Sequence, residues 1–278
     1  MNIDIKLQSK FLRKKIKIEK DRGHNIYIGG GDGSGRSEFI LHLLNSVLKN
    51  NPKKLLLIDT INDIGMCSKA ISILLKNQID TSNIGYVRKT IDCKTNDCSK
   101  IQDFSIEKNV SNYLIISLPC LEKCKPHIVN QNHSTIYDLI NNLPVNEDEE
   151  IPIIIDNITH FKDEHFDKFK EVVWKANSKG YFFIIGNWGA FNMNNFERNF
   201  CVISNLFQHS FILKSHINLD NYYVKNLKFK IPIIELQDGQ FYYLKNDRLQ
   251  SNKPFSLFYD ANLINIENNV FENIQIFK

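Results

Sequence analysis

Apolar residues in this chain fall into two kinds of pattern that alternate along its length. Short continuous runs occur at 25–28 (NIYI), 53–60 (KKLLLIDT), 84–87, 113–118, 151–156 (IPIIID), 181–185 (YFFII) and 210–213. Such runs predict strands buried on both faces, as in a parallel sheet. Between them apolar residues recur at helical spacing. Phe39, Ile40, Leu43, Leu44, Val47 and Leu48 predict a helix that Asn50-Asn51-Pro52 stops. A second helix is expected over 63–76 and a third from Ser134, as its N-cap, to Leu143. A fourth is expected over 163–177, with Phe166, Phe169, Val172, Val173 and Ala176 on one face. Strands that alternate with amphipathic helices predict an α/β fold of three layers with a mainly parallel central sheet and ligands at the strand carboxyl ends.

The two ends of the chain read differently. Ile3 to Leu7 and Ile16 to Glu19 alternate apolar and polar residues on either side of a basic run, which predicts a leading hairpin within 1–24. Near the other end, Asp238-Gly239 separates Ile231 to Glu235 from Gln240 to Lys245, a pattern expected of a β-hairpin. No long Gly/Ser/Pro linker divides the 278 residues, so one domain is expected over 1–278. Within it, 90–145 reads as a polar insertion and 231–278 as a β-rich C-terminal appendage.

Composition narrows the class only a little. With 42% hydrophobic residues the chain can build a sizeable core, and a net charge of +4 permits an acidic partner such as DNA without demanding one. The run Arg13 to Lys17 suits phosphates of a polymer, or simply a solvated strand face. No run approaches the ~18 apolar residues of a membrane span, and residues 1–6 lack the apolar core of a secretory signal. A cytoplasmic chain with reduced thiols is therefore expected for its six cysteines. Cys93, Cys98, Cys120, Cys124 and His127 have loose metal-ligand spacing, against which stands the plainer reading of buried or idle thiols.

The stretch with the most specific chemistry lies at 26–37. After the run Asn25 to Ile28 comes Gly30-Gly31-Asp32-Gly33-Ser34-Gly35-Arg36-Ser37-Glu38, and then the first helix. This is the strand, loop and helix context of a phosphate-binding P-loop, with Arg36 where lysine is usual. Its glycines let successive backbone N–H groups turn inward, and the helix adds its positive end, so residues 30–38 are expected to bind the phosphates of ATP. Ser37 would give Mg²⁺ a hydroxyl ligand, and Asp156, ending the strand 151–156, would hold the same ion through water. Asp156 alternatively caps the next helix.

The residue after it is Asn157, whose carboxamide cannot take a proton from an attacking water, a task that Asp163 or Glu164 would have to assume. Asn187, after the run 181–185, is either a polar sensor of the terminal phosphate or a turn former in a Gly-Asn-Trp-Gly corner. Asp156, Asn157 and Asn187 are thus the candidate catalytic set. Guanidinium is longer and planar, so Arg36 can pair phosphates but cannot occupy the compact position of an ammonium.

Taken together, Gly30 to Ser37, the strand to Asp59, Ile151 to Asp156, the strand ending Gly186-Asn187 and the closing hairpin resemble the RecA-like FtsK–HerA superfamily of P-loop NTPases. Within it the look is that of conjugative coupling proteins and related type IV secretion ATPases. The resemblance implies an ATP-driven hexameric ring that moves DNA or hands substrates to a channel, each site completed by a neighbour's arginine, with Arg88 and Arg198 as candidates. It also implies a glutamine and a glutamate where this chain has Asn187 and Asn157. Three readings stay open: a DNA-translocating or viral genome-packaging ATPase, a nucleotide-binding structural subunit of a larger secretion or packaging assembly that hydrolyses slowly or not at all, and a small-molecule phosphotransferase. The last lacks an arginine-rich lid after the central strands.

Overall fold

The computed structural model describes residues 2–8, 15–19, 24–31, 33–60, 64–88, 112–118, 134, 136–146, 150–156, 163–188, 206–215, 229–231, 233–246, 248–258 and 274–277. Its centre is made by the short apolar runs. The strands β3 (Ile26–Gly30), β4 (Leu55–Asp59), β5 (Ile84–Arg88), β6 (Tyr113–Ser117), β7 (Ile151–Asp156), β8 (Tyr181–Trp188) and β9 (His209–Leu213) lie in one sheet. Their order is β9-β3-β8-β7-β4-β6-β5, with every neighbouring pair parallel.

Both faces of this sheet are covered, which is why its strands are apolar throughout rather than alternating. Side chains alternate between two clusters: Leu55 and Leu57 face one way, Leu56 and Ile58 the other. The first face carries α1 (Arg36–Leu48) and α2 (Ile64–Lys76). The second carries α3 (136–141) and α4 (Asp163–Ser178), through Tyr137, Phe169, Val172 and Val173 among others. This is the expected three-layer α/β arrangement. The third helix stops short of Leu143, and Ser134 is itself helical rather than a cap outside the helix.

β1 (Asn2–Lys6) and β2 (Lys15–Glu19) pair antiparallel and pack Ile3, Ile5 and Ile18 into the first cluster. Asp4 N–H donates to Ser46 Oγ at 2.8 Å, and Asn50 bonds both backbone groups of Asn2, so the end of α1 holds the hairpin in place. Asn51, at φ 50°, turns the chain out of α1 in a conformation that asparagine tolerates.

The C-terminal hairpin forms, but not at the expected turn. Residues Ile233–Glu235 make a 3₁₀ turn rather than a strand, and the hairpin is β10 (Gln240–Lys245) with β11 (Arg248–Leu249), around Asn246 at φ 48°. The pattern misled because β10 finds a long partner elsewhere: it lies antiparallel to β9 over five residue pairs and also takes up β12 (Phe255–Ser256). The Phe39 ring of α1 lies 5.0 Å from both Phe211 of β9, tilted, and Phe241 of β10, edge to face, fastening this edge to the helix layer. At the far edge β13 (Gln275–Phe277) runs parallel to β5, so the C-terminal region is divided between opposite edges of one sheet.

At the amino ends of β3 and β9 sits His209, 1% exposed, its Nδ1 2.8 Å from the Tyr243 hydroxyl and its ring 5.7 Å from His24. Burial, with the nearby His24 and Lys245, pushes its pKa down from 6.5 to about 4. The folded state therefore binds fewer protons than the unfolded chain, and stability is full above pH 6.5 and falls as pH drops toward 4. Urea midpoints at pH 7 and pH 5 check this: the loss should approach ~1.4 kcal/mol per pH unit at its steepest, and His209→Gln should flatten it.

Candidate nucleotide site

The loop between β3 and α1 takes its shape from its glycines. Gly30 admits no side chain, since a Cβ there would lie 2.5 Å from Ser34 Oγ and 3.0 Å from Leu213 Cβ. Gly33 at φ 69° and Gly35 at φ 80° hold the left-handed conformation that turns the chain into α1. Gly35 is the N-cap of that helix and, being glycine, makes no side-chain cap hydrogen bond to its first N–H groups. The loop is tethered from outside by Gly31 N–H donating to the Lys214 carbonyl at 2.8 Å and Gly239 N–H to the Ser34 carbonyl at 3.3 Å. Glu38, in the first turn, pairs with Lys69 of α2 at 3.6 Å, both partly exposed, a contact that contributes little. Asp32 lies outside the described residues.

Next to the loop, β8 lies between β3 and β7, and the carboxyl ends of all three open beneath α1. Asp156 ends β7 and is 1% exposed. The Ser37 hydroxyl donates to its Oδ2 at 2.8 Å, and Arg36 Nε stands 3.4 Å from its Oδ1. Arg36 is itself 7% exposed: it does not reach out of the loop but turns under it, Nη1 donating to the Gly30 carbonyl at 2.8 Å. Neither Arg36 Nε nor Asp156 Oδ1 has a hydrogen-bond partner among the described residues, so their contact is an ion pair without a bond.

The donor set suits a small hard cation. Ser37 Oγ and Asp156 Oδ2 are two hard oxygen donors side by side, the kind of group that Mg²⁺ takes directly or through its waters. Those two oxygens would hold the ion, which would supply charge neutralisation between the phosphates and Asp156.

Asn187 lies within β8, paired with Gly29, and not in a turn. Its side chain is on the opposite face of the sheet from Asp156: Nδ2 is 3.5 Å from the hydroxyl of Tyr27, whose ring belongs to the second cluster. Burial pushes the Tyr27 phenol pKa up, offset in part by the Asn187 hydrogen bond and the positive charge of Arg36. The residue of β8 that does face Asp156 is Gly186.

Two positions had no role in the sequence reading and gain one from the sheet. Gly186 is the first: a Cβ there would lie 2.6 Å from Ile40 Cδ1 and 2.9 Å from Asp156 Oδ1. Asp59 is the second, fully buried at the end of β4 and in register with Asp156. Ser117 Oγ and Cys67 Sγ donate to its Oδ2 at 3.2 and 3.7 Å, and Thr60 Oγ1 donates to the Asp156 carbonyl at 3.0 Å. The only sequence sign of Asp59 was an acid ending an apolar run, as for Asp156; what places them together is a strand pairing across 97 residues of chain (156 − 59 = 97). Arg88 ends β5, exposed. Asn157, Arg198, Cys93, Cys98, Cys120, Cys124 and His127 lie outside the described residues, as do the side chains of Asp163 and Glu164.

No family model matches the chain, and no curated protein does. Solved structures do. VirB4 of Thermoanaerobacter pseudethanolicus superposes with a TM-score of 0.59 at 6% identity, over 94% of this chain and 98% of that one. The bacterial conjugative coupling protein TrwB, in its unbound monoclinic form, gives 0.56 at 10% identity, over 95% and 90%. The fold is a RecA-like α/β fold. The cytoplasmic domain of the type VII secretion ATPase EccC of Thermomonospora curvata shares it, at a TM-score of 0.52 and 11% identity. This chain covers 94% of its own length there but only 26% of the EccC chain. At these identities the likeness is one of RecA-like architecture. Among the described residues no helix is long and apolar enough to cross a membrane.

The tight fit at Gly186 has a measurable consequence. Gly186→Ala should destabilise by about 1–3 kcal/mol, because the buried Ile40 and Asp156 side chains must give way to the added methyl. Urea denaturation measures it, and a midpoint equal to that of the parent protein would show that the site has slack.

Proposed function

We propose that this chain binds ATP with Mg²⁺ at residues 30–38 and serves in a DNA-translocation or secretion machine, hydrolysing the nucleotide slowly. The observation that carries the reading is the Ser37 hydroxyl on the Asp156 carboxylate at 2.8 Å, the two halves of a phosphate and cation site brought together beside an uncapped helix N-terminus. The backbone N–H groups of the loop and the first turn of α1 hold the phosphates, and Ser37 with Asp156 holds the cation. The RecA-like fold shared with a conjugative coupling protein and a secretion ATPase supports a place in such a machine, as one copy in a hexameric ring or as a component of a multiprotein assembly. Arg88, at a strand carboxyl end, is one candidate, with Arg198, for the arginine that would complete a neighbouring copy's site.

Equilibrium binding of ATP with Mg²⁺, and phosphate release with and without DNA, test this. The chain should bind ATP, Asp156→Asn should slow phosphate release by about tenfold or more, and DNA should stimulate release. A chain that fails to bind ATP at millimolar concentration removes the reading.

The buried position of Arg36 favours a second reading, a degenerate motor whose nucleotide only stabilises an assembly. A guanidinium held by Gly30 and Asp156 is not placed at the outer phosphates, and Asn157 offers no base to the attacking water. Arg36→Lys combined with Asn157→Glu should then raise turnover at least about tenfold. Unchanged turnover in the double variant counts against it.

A further inference from the structure

We infer that Arg36 is a built-in countercharge for Asp156, so that this site takes a nucleoside di- or triphosphate almost equally well with and without Mg²⁺. The inference rests on the nucleotide-site reading above and specifies the form of its ligand. A carboxylate at 1% exposure needs a countercharge close by, and Arg36 supplies one with Nε 3.4 Å from Oδ1. The guanidinium presents donors on several edges of one plane and so serves the Gly30 carbonyl through Nη1 while Nε faces Asp156. An ammonium on a straight stem has no such reach in two directions. Gly186 is the positioning residue that makes room: a Cβ in its place would stand 2.9 Å from Asp156 Oδ1 and 3.4 Å from Arg36 Cδ.

Two effects follow, and both weaken the coupling between cation and nucleotide. A bare polyphosphate arriving at the loop meets a carboxylate already neutralised, so the repulsion that Mg²⁺ ordinarily relieves is small. A cation arriving at Asp156 Oδ2 meets a carboxylate whose charge the guanidinium at Oδ1 already offsets, which removes part of what the cation gains. Where the basic residue instead extends to the phosphates, Asp156 keeps its charge for the cation and nucleotide binding depends on it. By reciprocity, nucleotide should equally do little to recruit Mg²⁺ here.

The test uses the full chain and ATP itself, by calorimetric titration in excess Mg²⁺ and again in excess EDTA, with the shift in unfolding temperature by ATP as a parallel readout. The two affinities should agree within about fivefold, and in Arg36→Lys they should separate by more than about fivefold, Mg²⁺ strengthening binding. A larger separation in the parent chain overturns the inference and leaves the nucleotide site standing. An Arg36→Lys protein as insensitive as the parent also overturns it, since the effect then does not belong to Arg36. Absence of ATP binding in both media removes the nucleotide site and the inference together. If Arg36→Lys does not fold, the two measurements on the parent chain decide alone.

Discussion

A buried carboxylate with its partners is the constraint around which this structure is arranged. Asp156 can be nearly inaccessible only because Ser37 and Arg36 come to it, and they come from the first turn of a helix that follows a different strand. That meeting fixes which strand ends lie together: β7 must open at the same edge as β3, with β8 between them. It also fixes the residue of β8 at that level, because only the missing Cβ of Gly186 leaves space between Asp156, Ile40 and Arg36. The loop glycines serve the same end, bringing α1 in with its N-terminus unsatisfied.

The electrostatics of the floor then set what the site does best. In the proposed reading, an Arg36 guanidinium engaged from below would leave phosphate recognition to backbone amides and the helix end, contributions that do not change between ground state and transition state. Binding that is uniform in this sense lowers the dissociation constant without speeding the reaction. The charge that would grow on the leaving oxygens is met by no cation directed outward from the loop. Asn187 is on the far face, bonded to Tyr27, and the residue of β8 in contact range of Asp156 is Gly186.

A second carboxylate gives the carboxyl edge of the sheet more polar content than the P-loop alone. Asp59 stands in register with Asp156, held by Ser117 and Cys67, while Thr60 ties its strand end to the Asp156 backbone. These bonds cross from β4 to β6, to α2 and to β7.

The local pattern of this sequence determined its elements and its chemistry. Apolar runs, helical spacing and the glycine spacing act over a few residues, so the strands, the helices, the three-layer class and the pairing of a P-loop with the acid at 156 could be read directly. The partner of Asp156, the face of Asn187 and the partners of β10 could not, because each depends on which strands lie side by side. A strand's side chains alternate between faces, so Asn187 and Gly186 differ by one position yet look into different layers, and nothing local says which layer holds the nucleotide. The turn at Asp238-Gly239 had the composition of a hairpin, but the competing pairing of β10 with β9 decided otherwise. The direction of Arg36 is the clearest case. Its identity was plain in the sequence; only the buried carboxylate and the glycine facing it, both distant in the chain, turned it inward.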